Sequence, residues 1–201
     1  MVIAIHQPEH FPYCGFFQKM KAADLFIILD NVNYRKNYFQ NRNKFLNNNL
    51  VEEWFSVQVE PNATSKNIKD VEVVDGSWRK KIVKKLKQNL GVDLAYIYES
   101  KYLIDINIKS IEYCRERLNI KTPMIYASEL NVSGSKSELL ANLVKKASVN
   151  GKGTTYLSGP SGKDYLETKY FGGIDIKYFT PTCKNYYSSL YNICKGENVW
   201  K

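Results

Sequence analysis

The sequence predicts an α/β fold: a parallel sheet with helices on both faces. Three observations carry this expectation. Short apolar runs of strand character, at residues 2–5, 25–29, 123–127 and 174–179, alternate with segments of helical period. The connections between many of these runs are short. The first two runs also end abruptly in polar residues, His6-Gln7-Pro8 and Asp30. In open α/β sheets the ligand crevice lies outside the carboxyl ends of the strands, so this region is the expected site.

Taken in order, the first strand gives way to two prolines and then a short helical pattern over residues 13–23, before the second strand. Residues 34–49 are polar and Asn-rich, with Asn47-Asn48-Asn49 read as a turn. Residues 54–59 alternate like a half-buried strand, and residues 71–73 read as a short one. Ser77 is placed as N-cap of a helix over 78–90, where Trp78, Ile82, Leu86 and Leu90 repeat every fourth residue and Gly91 follows as the C-terminal glycine. Residues 94–98 read as a strand, and 104–118 and 136–147 as helices. Residues 151–154 turn the chain into the strand at Thr155-Tyr156-Leu157; a turn follows, then a helix over 164–170 and a last strand over 174–179. A chain of this length is expected to form one α/β domain, 1–201, with a small C-terminal appendage at 180–201.

Composition narrows the class. A hydrophobic fraction of 44% is enough for a core, and no apolar run reaches the ~20 residues that span a bilayer, so no membrane insertion is expected. The start Met-Val-Ile-Ala-Ile lacks the basic and small-residue features of a signal peptide. The four cysteines show no CxxC pairing and are expected as free thiols, which with the missing signal implies a cytoplasmic location. Lys plus Arg number 29 against 20 Asp plus Glu, an excess that suits an anionic partner.

Several polar groups are candidates for chemistry. His6, at the end of the first strand, can donate to a phosphate or move a proton near neutral pH; Gln7 and His10 extend the same turn. His6, His10 and Cys14 stand four apart, but Pro8 and Pro12 forbid the helix that would gather them, so no metal site is expected. Asp30 is a second candidate for proton handling, with turn capping as its structural alternative. Lys36 and Arg42 are expected to neutralise phosphate or a developing oxyanion beside Tyr34, while Asn41 and Asn43 offer donors and acceptors to sugar hydroxyls. Ser158-Gly159-Pro160-Ser161-Gly162 lies between a strand and a helix, where small residues admit a ligand or simply make the turn. It lacks the Gly-Lys-Ser/Thr ending of a P-loop, and no Gly-x-Ser-x-Gly elbow is present, which sets aside those ATPase and hydrolase classes. Lysines on the polar face of the helix over 78–90 read as a solvated surface or as a landing strip for phosphate.

The run His6-Gln7-Pro8, Pro12, Gly15-Phe16, Lys19, Asp24, Asp30, Val32, Tyr34, Lys36 and Asn41-Arg42-Asn43 resembles the signature of the WbqC-like proteins, bacterial proteins associated with O-antigen and other surface-polysaccharide gene sets. Asp75-Gly76-Ser77-Trp78-Arg79-Lys80-Lys81 and Tyr156-Leu157-Ser158-Gly159-Pro160-Ser161-Gly162-Lys163-Asp164-Tyr165 resemble the same family. Where that family tends to show His-Pro-x-Tyr-x-Gln, this chain has Thr180-Pro181-Thr182-Cys183-Lys184-Asn185. The order of strand, His-containing turn, helix and strand also resembles the nucleotide-binding fold of adenylyl-transferring enzymes such as pantothenate synthetase, which implies a nucleotide-binding-like, adenylyltransferase-like three-layer architecture. In those enzymes a Gly-His pair opens the first helix; here Gly15 is followed by Phe16.

The resemblance implies modification of a nucleotide-linked sugar in O-antigen (lipopolysaccharide) biosynthesis. We read the reaction as acyl or aminoacyl transfer to the amine of an amino sugar, by a transferase with His6, Asp30 and Lys36 as catalytic residues. Gln7, His10, Gly15, Tyr34, Asn41, Arg42, Asn43, Ser158 and Gly159 form the expected substrate-binding set. No cofactor is demanded by the sequence beyond an acyl or aminoacyl donor; the expected partner is the nucleotide-linked sugar, with an oligomer left open. Two other readings are a non-catalytic sugar-nucleotide-binding protein of the same pathway and a single-stranded nucleic-acid binder using Tyr34, Tyr38, Phe39 and the nearby cations. Nucleic acid ranks behind the sugar nucleotide as partner.

Overall fold

A computed structural model of the chain describes residues 1–148 and 153–200. The chain forms two compact units, one of Met1–Gln7, Gly15–Asp30 and Ile120–Pro181, the other of Pro8–Cys14, Asn31–Asn119 and Thr182–Lys201.

The first unit is α/β. Its five strands are β1 (Val2–His6), β2 (Leu25–Ile28), β5 (Met124–Tyr126), β6 (Thr154–Ser158) and β7 (Ile174–Tyr178), all parallel, in the order β5-β2-β1-β6-β7. The central strands Val-Ile-Ala-Ile and Leu-Phe-Ile-Ile are almost unbroken apolar runs because both of their faces are covered. Helix α1 (Cys14–Lys21) connects β1 to β2, and α4 (Lys136–Ala147) precedes β6. The first connection runs from β1 to β2 and the second from β5 to β6, in opposite directions across the sheet. Right-handed crossovers therefore put α1 and α4 on opposite faces, the three-layer arrangement. Phe16, Phe17 and Met20 of α1 and Leu143 and Val144 of α4 have no exposed surface beyond 1%, and they supply the cover.

The second unit contains a hairpin, β3 (Arg42–Leu46) antiparallel to β4 (Glu52–Ser56), and the helices α2 (Trp78–Leu90), α3 (Leu103–Arg117) and α6 (Ser189–Cys194). Its core is Phe11, Phe45, Phe55, Ile68, Leu86, Ile97, Leu103, Ile106, Ile111 and Leu190, all buried. Helix α2 buries Trp78, Ile82, Leu86 and Leu90, and Gly91 closes it at φ 71°. Ser77 makes no side-chain cap there.

Several expectations are corrected. Residues 94–98 are not a strand but a 3₁₀ turn, Ala95–Glu99. Leu94, Ile97 and Tyr98 are buried while Ala95 and Tyr96 are exposed, a spacing of three to four that a short apolar run does not reveal. The stretch 34–49, expected as loop and turn, contains β3, whose alternation is masked because its buried positions include Asn43 as well as Phe45. Residues 71–73 make only isolated bridges, and the helix expected over 164–170 breaks at Leu166 into α5 (Gly162–Tyr165) and a 3₁₀ turn, Thr168–Phe171. The turn expected from Gly151 lies partly outside the described residues, which resume at Gly153.

The free-thiol expectation holds for Cys114 and Cys194 but fails for Cys14 and Cys183, which form a disulfide. A β-bridge between Tyr13 and Ser188, with Ser189 donating to the Pro12 carbonyl at 2.8 Å, lays the C-terminal segment beside Cys14. A pairing across 169 residues leaves no local trace in the sequence. Among the described residues no helix is long and apolar enough to cross a membrane.

Candidate functional site

In the first unit the strand order reverses between β1 and β6, the topological switch point where open parallel sheets hold ligands. Ala4 pairs with Leu157, so the chains run on side by side to His6-Gln7 on one strand and Ser158-Gly159 on the other. On the other flank of β1, His6 pairs with Ile28, and Leu29 donates to the His6 carbonyl at 2.8 Å. Asp30 follows directly. The parallel register thus brings His6, Gln7, Asp30, Ser158 and Gly159 to one edge of one sheet.

His6 is half-buried, its ring edge-on to Phe16 at 5.0 Å. Its Nδ1 lies 3.0 Å from the carbonyl oxygen of Gln7. A carbonyl only accepts, so Nδ1 bears the hydrogen and the lone pair of the neutral ring is on Nε2. Burial and then the positive charge of Lys19 push the imidazole pKa down to about 3, so the ring is neutral at physiological pH. Lys19 is buried on the same helix face as Phe16, three residues on, and donates to the Ile5 carbonyl at 2.8 Å. A buried ammonium beneath the end of β1 was not among the expected site residues. Its signal was a lysine in the apolar stripe of α1, between Phe16-Phe17 and Met20.

Asp30 is buried and accepts from Ser128, N–H to Oδ1 at 2.9 Å and hydroxyl to Oδ2 at 2.6 Å. It thereby fastens the end of β2 to the turn that follows β5. Ser128 too was missed, being ~100 residues away in sequence with no motif around it. Gly15 is buried in the first turn of α1. Ser158 is fully buried, and a β-carbon on Gly162 would collide with its hydroxyl, so the Ser-Gly-Pro-Ser-Gly turn closes tightly only with glycine there. Gly162 N–H donates to the Gly159 carbonyl at 3.0 Å.

The other expected residues belong to the second unit. His10 is fully buried in an aromatic box of Phe11, Phe55 and Tyr98, with Nε2 3.1 Å from the Tyr98 hydroxyl, and burial holds its pKa down at about 3. Asn43 is buried and binds main chain, donating to the Phe11 carbonyl at 2.8 Å, while Asn41 donates to the Val57 carbonyl at 2.9 Å. Tyr34 is buried, which raises its phenol to about 12. Lys36 is exposed, and Arg42 stacks its guanidinium 4.5 Å over the ring of Trp54. Among the described residues no group of three or more His, Cys, Asp or Glu is placed to hold a metal ion.

A family model, the WbqC-like protein family, matches residues 7–193. The chain is similar to the uncharacterized protein Rv1507c of Mycobacterium tuberculosis, 27% identical over 188 residues, which cover 87% of this chain and 79% of that protein. No solved structure matches.

Proposed function

We propose, from the premise that this chain belongs to the WbqC-like protein family, that it is a transferase that forms an amide on a nucleotide-linked amino sugar. The observation that supports this reading best is the pairing, at the switch point of a parallel sheet, of a neutral His6 with the small-residue turn at Ser158-Gly159. A nucleotide occupies the crevice against that turn, and the sugar amine is presented to His6.

In the reaction, the sugar nitrogen attacks the carbonyl carbon of an acyl or aminoacyl donor. The new C–N bond forms as the bond to the leaving group breaks. His6 Nε2 takes the proton released by the nitrogen and returns it to the leaving group. The Nδ1 hydrogen bond to Gln7 fixes the tautomer and orientation that this requires. Lys19 disfavours a lasting imidazolium, so the proton passes on rather than resting on the ring. An anionic diphosphate near that edge opposes the Lys19 effect and raises the basicity of His6 when substrate is present. Asp30 acts in this scheme through Ser128, keeping the β2 end in register, and is a positioning residue.

The experiment is a thermal-shift screen against nucleotides, nucleotide sugars and acyl or aminoacyl donors. A ligand of the native state must raise the melting temperature. The reading predicts that a nucleotide-linked amino sugar stabilises more than the nucleotide alone. Stabilisation without any transfer in the presence of every donor class leaves a binding protein of the same ligand and overturns the enzyme.

A further inference from the structure

We propose that the outer face of the β3–β4 hairpin, flanked by α2, binds single-stranded polynucleotide. This inference concerns the second unit alone and stands independently of the transferase reading.

Strand alternation divides the hairpin. Asn43, Phe45 and Phe55 point into the unit and are buried, which leaves Arg42, Lys44 and Trp54 on the outer face, Lys44 paired across from Trp54. Trp54 is 40% exposed and Tyr38 41%, large values for rings of this size. They belong to a row of rings: Tyr38 lies 5.6 Å from Phe39, and Phe39 lies 6.4 Å from Trp54 at an interplanar angle of only 26°. Cations alternate with them. Arg35 sits 4.8 Å over Tyr38, Arg42 4.5 Å over Trp54, and Lys44 5.6 Å over Tyr187. Helix α2 extends the charge. Lys85 donates to the Trp54 carbonyl at 2.8 Å and pairs with Glu53 at 2.9 Å, which locks the helix beside the hairpin. Lys81, one turn before Lys85, and Lys84 are exposed on that helix.

The nearby carboxylates are already matched, Glu52 to Lys44 and Glu53 to Lys85. Among the described residues Arg35 and Arg42, which stand over the rings of this face, take part in no ion pair, so the face keeps a surplus of positive charge, and the exposed Lys36, Lys81 and Lys84 on its flanking segments are likewise unmatched by a carboxylate. Exposed rings interleaved with cations on an open surface stack unpaired bases while the cations track phosphates. A duplex hides the faces of its bases, so the single strand is the partner that fits. One diphosphate would use a fraction of these cations and one ring at most; a chain of nucleotides uses the row.

The test is fluorescence anisotropy with a labelled oligouridylate of about a dozen nucleotides, within the usual site size for such surfaces. The wild-type protein is expected to bind it with affinity that falls steeply as salt rises, while a duplex of equal length competes poorly. Trp54→Ala should weaken binding about tenfold or more, and Trp54→Phe, which keeps a ring, should restore most of it. Lys81→Gln with Lys84→Gln should flatten the salt dependence. Absence of binding, equal competition by a mononucleotide diphosphate, or an unchanged affinity in a folded Trp54→Ala protein would each overturn the proposal.

Discussion

Asn43 Nδ2 donates to the carbonyl oxygen of Phe11 at 2.8 Å, and Phe11 is in the left-handed region at φ 45°. A bulky residue adopts that conformation at a cost of roughly 1–2 kcal/mol. The surrounding bonds hold it there: Ser110 accepts from the Phe11 amide at 2.9 Å, and Asn107 donates to the Pro8 carbonyl at 3.4 Å. The loop of residues 8–13 is thus a buried segment whose main chain is served by side chains of β3 and α3. Asn43 is therefore a structural amide. Asn43→Ala should destabilise the protein by about 1–3 kcal/mol, the range for stranding buried carbonyls, and chemical denaturation measures it. A loss of ligand affinity with unchanged stability would instead restore the sugar-binding role.

Asp30 and Ser128 should behave as one unit. Asp30→Asn and Ser128→Ala each remove part of the same pair of bonds, so the double variant should be no less stable than the weaker single one by more than a few tenths of a kcal/mol. Full additivity in the double-mutant cycle would place Asp30 in a separate role.

Both histidines are held neutral in the folded chain, with pKa values near 3 against an ordinary value of 6.5. The unfolded chain binds their protons first as pH falls below 6.5, so stability is full above that value and declines below it, levelling off near 3. Between about pH 6 and 5, where most carboxylates remain ionised, each histidine contributes a slope approaching 1.4 kcal/mol per pH unit. Denaturation across that window should show the decline, and His10→Phe should remove about half of it. Nitrogen NMR of the two imidazoles should show no titration there. A histidine shift with a midpoint near 6.5 in the native protein would contradict the burial argument.

How far the site was legible depended on sequence distance. Val2 to Ile5 and Leu25 to Leu29 announced a parallel sheet because strands covered on both faces read as apolar runs, and His6 and Asp30 marked their ends. The pairing of β1 with β6, which brings the Ser158-Gly159 turn to the same sheet edge as His6, is a tertiary choice that no local pattern encodes. Lys19 was hidden in a different way, as a charge inside an apolar helix face that a hydrophobic pattern treats as noise. His10 and Asn43 looked functional because polar residues among prolines and aromatics suggest a ligand. In the structure Asn43 serves the main chain of a buried loop, which needs hydrogen bonds as much as a substrate would, and His10 is enclosed by rings with the Tyr98 hydroxyl at its Nε2. Trp54 was read as part of a half-buried strand, and only the register with Lys44 shows which side it faces.

In the proposed transfer His6 is the group that accepts the proton, and His6→Asn tests this role most directly. The measurement is the rate of amide formation, using the nucleotide-linked amino sugar and donor that raise the melting temperature of the wild-type protein. Asn keeps a polar side chain but no basic nitrogen. The rate should fall ~10²–10⁴-fold, the usual worth of one general base, with the melting temperature and the sugar-nucleotide shift retained. A His6→Asn protein that is folded, binds the sugar nucleotide and turns over at the wild-type rate would contradict it.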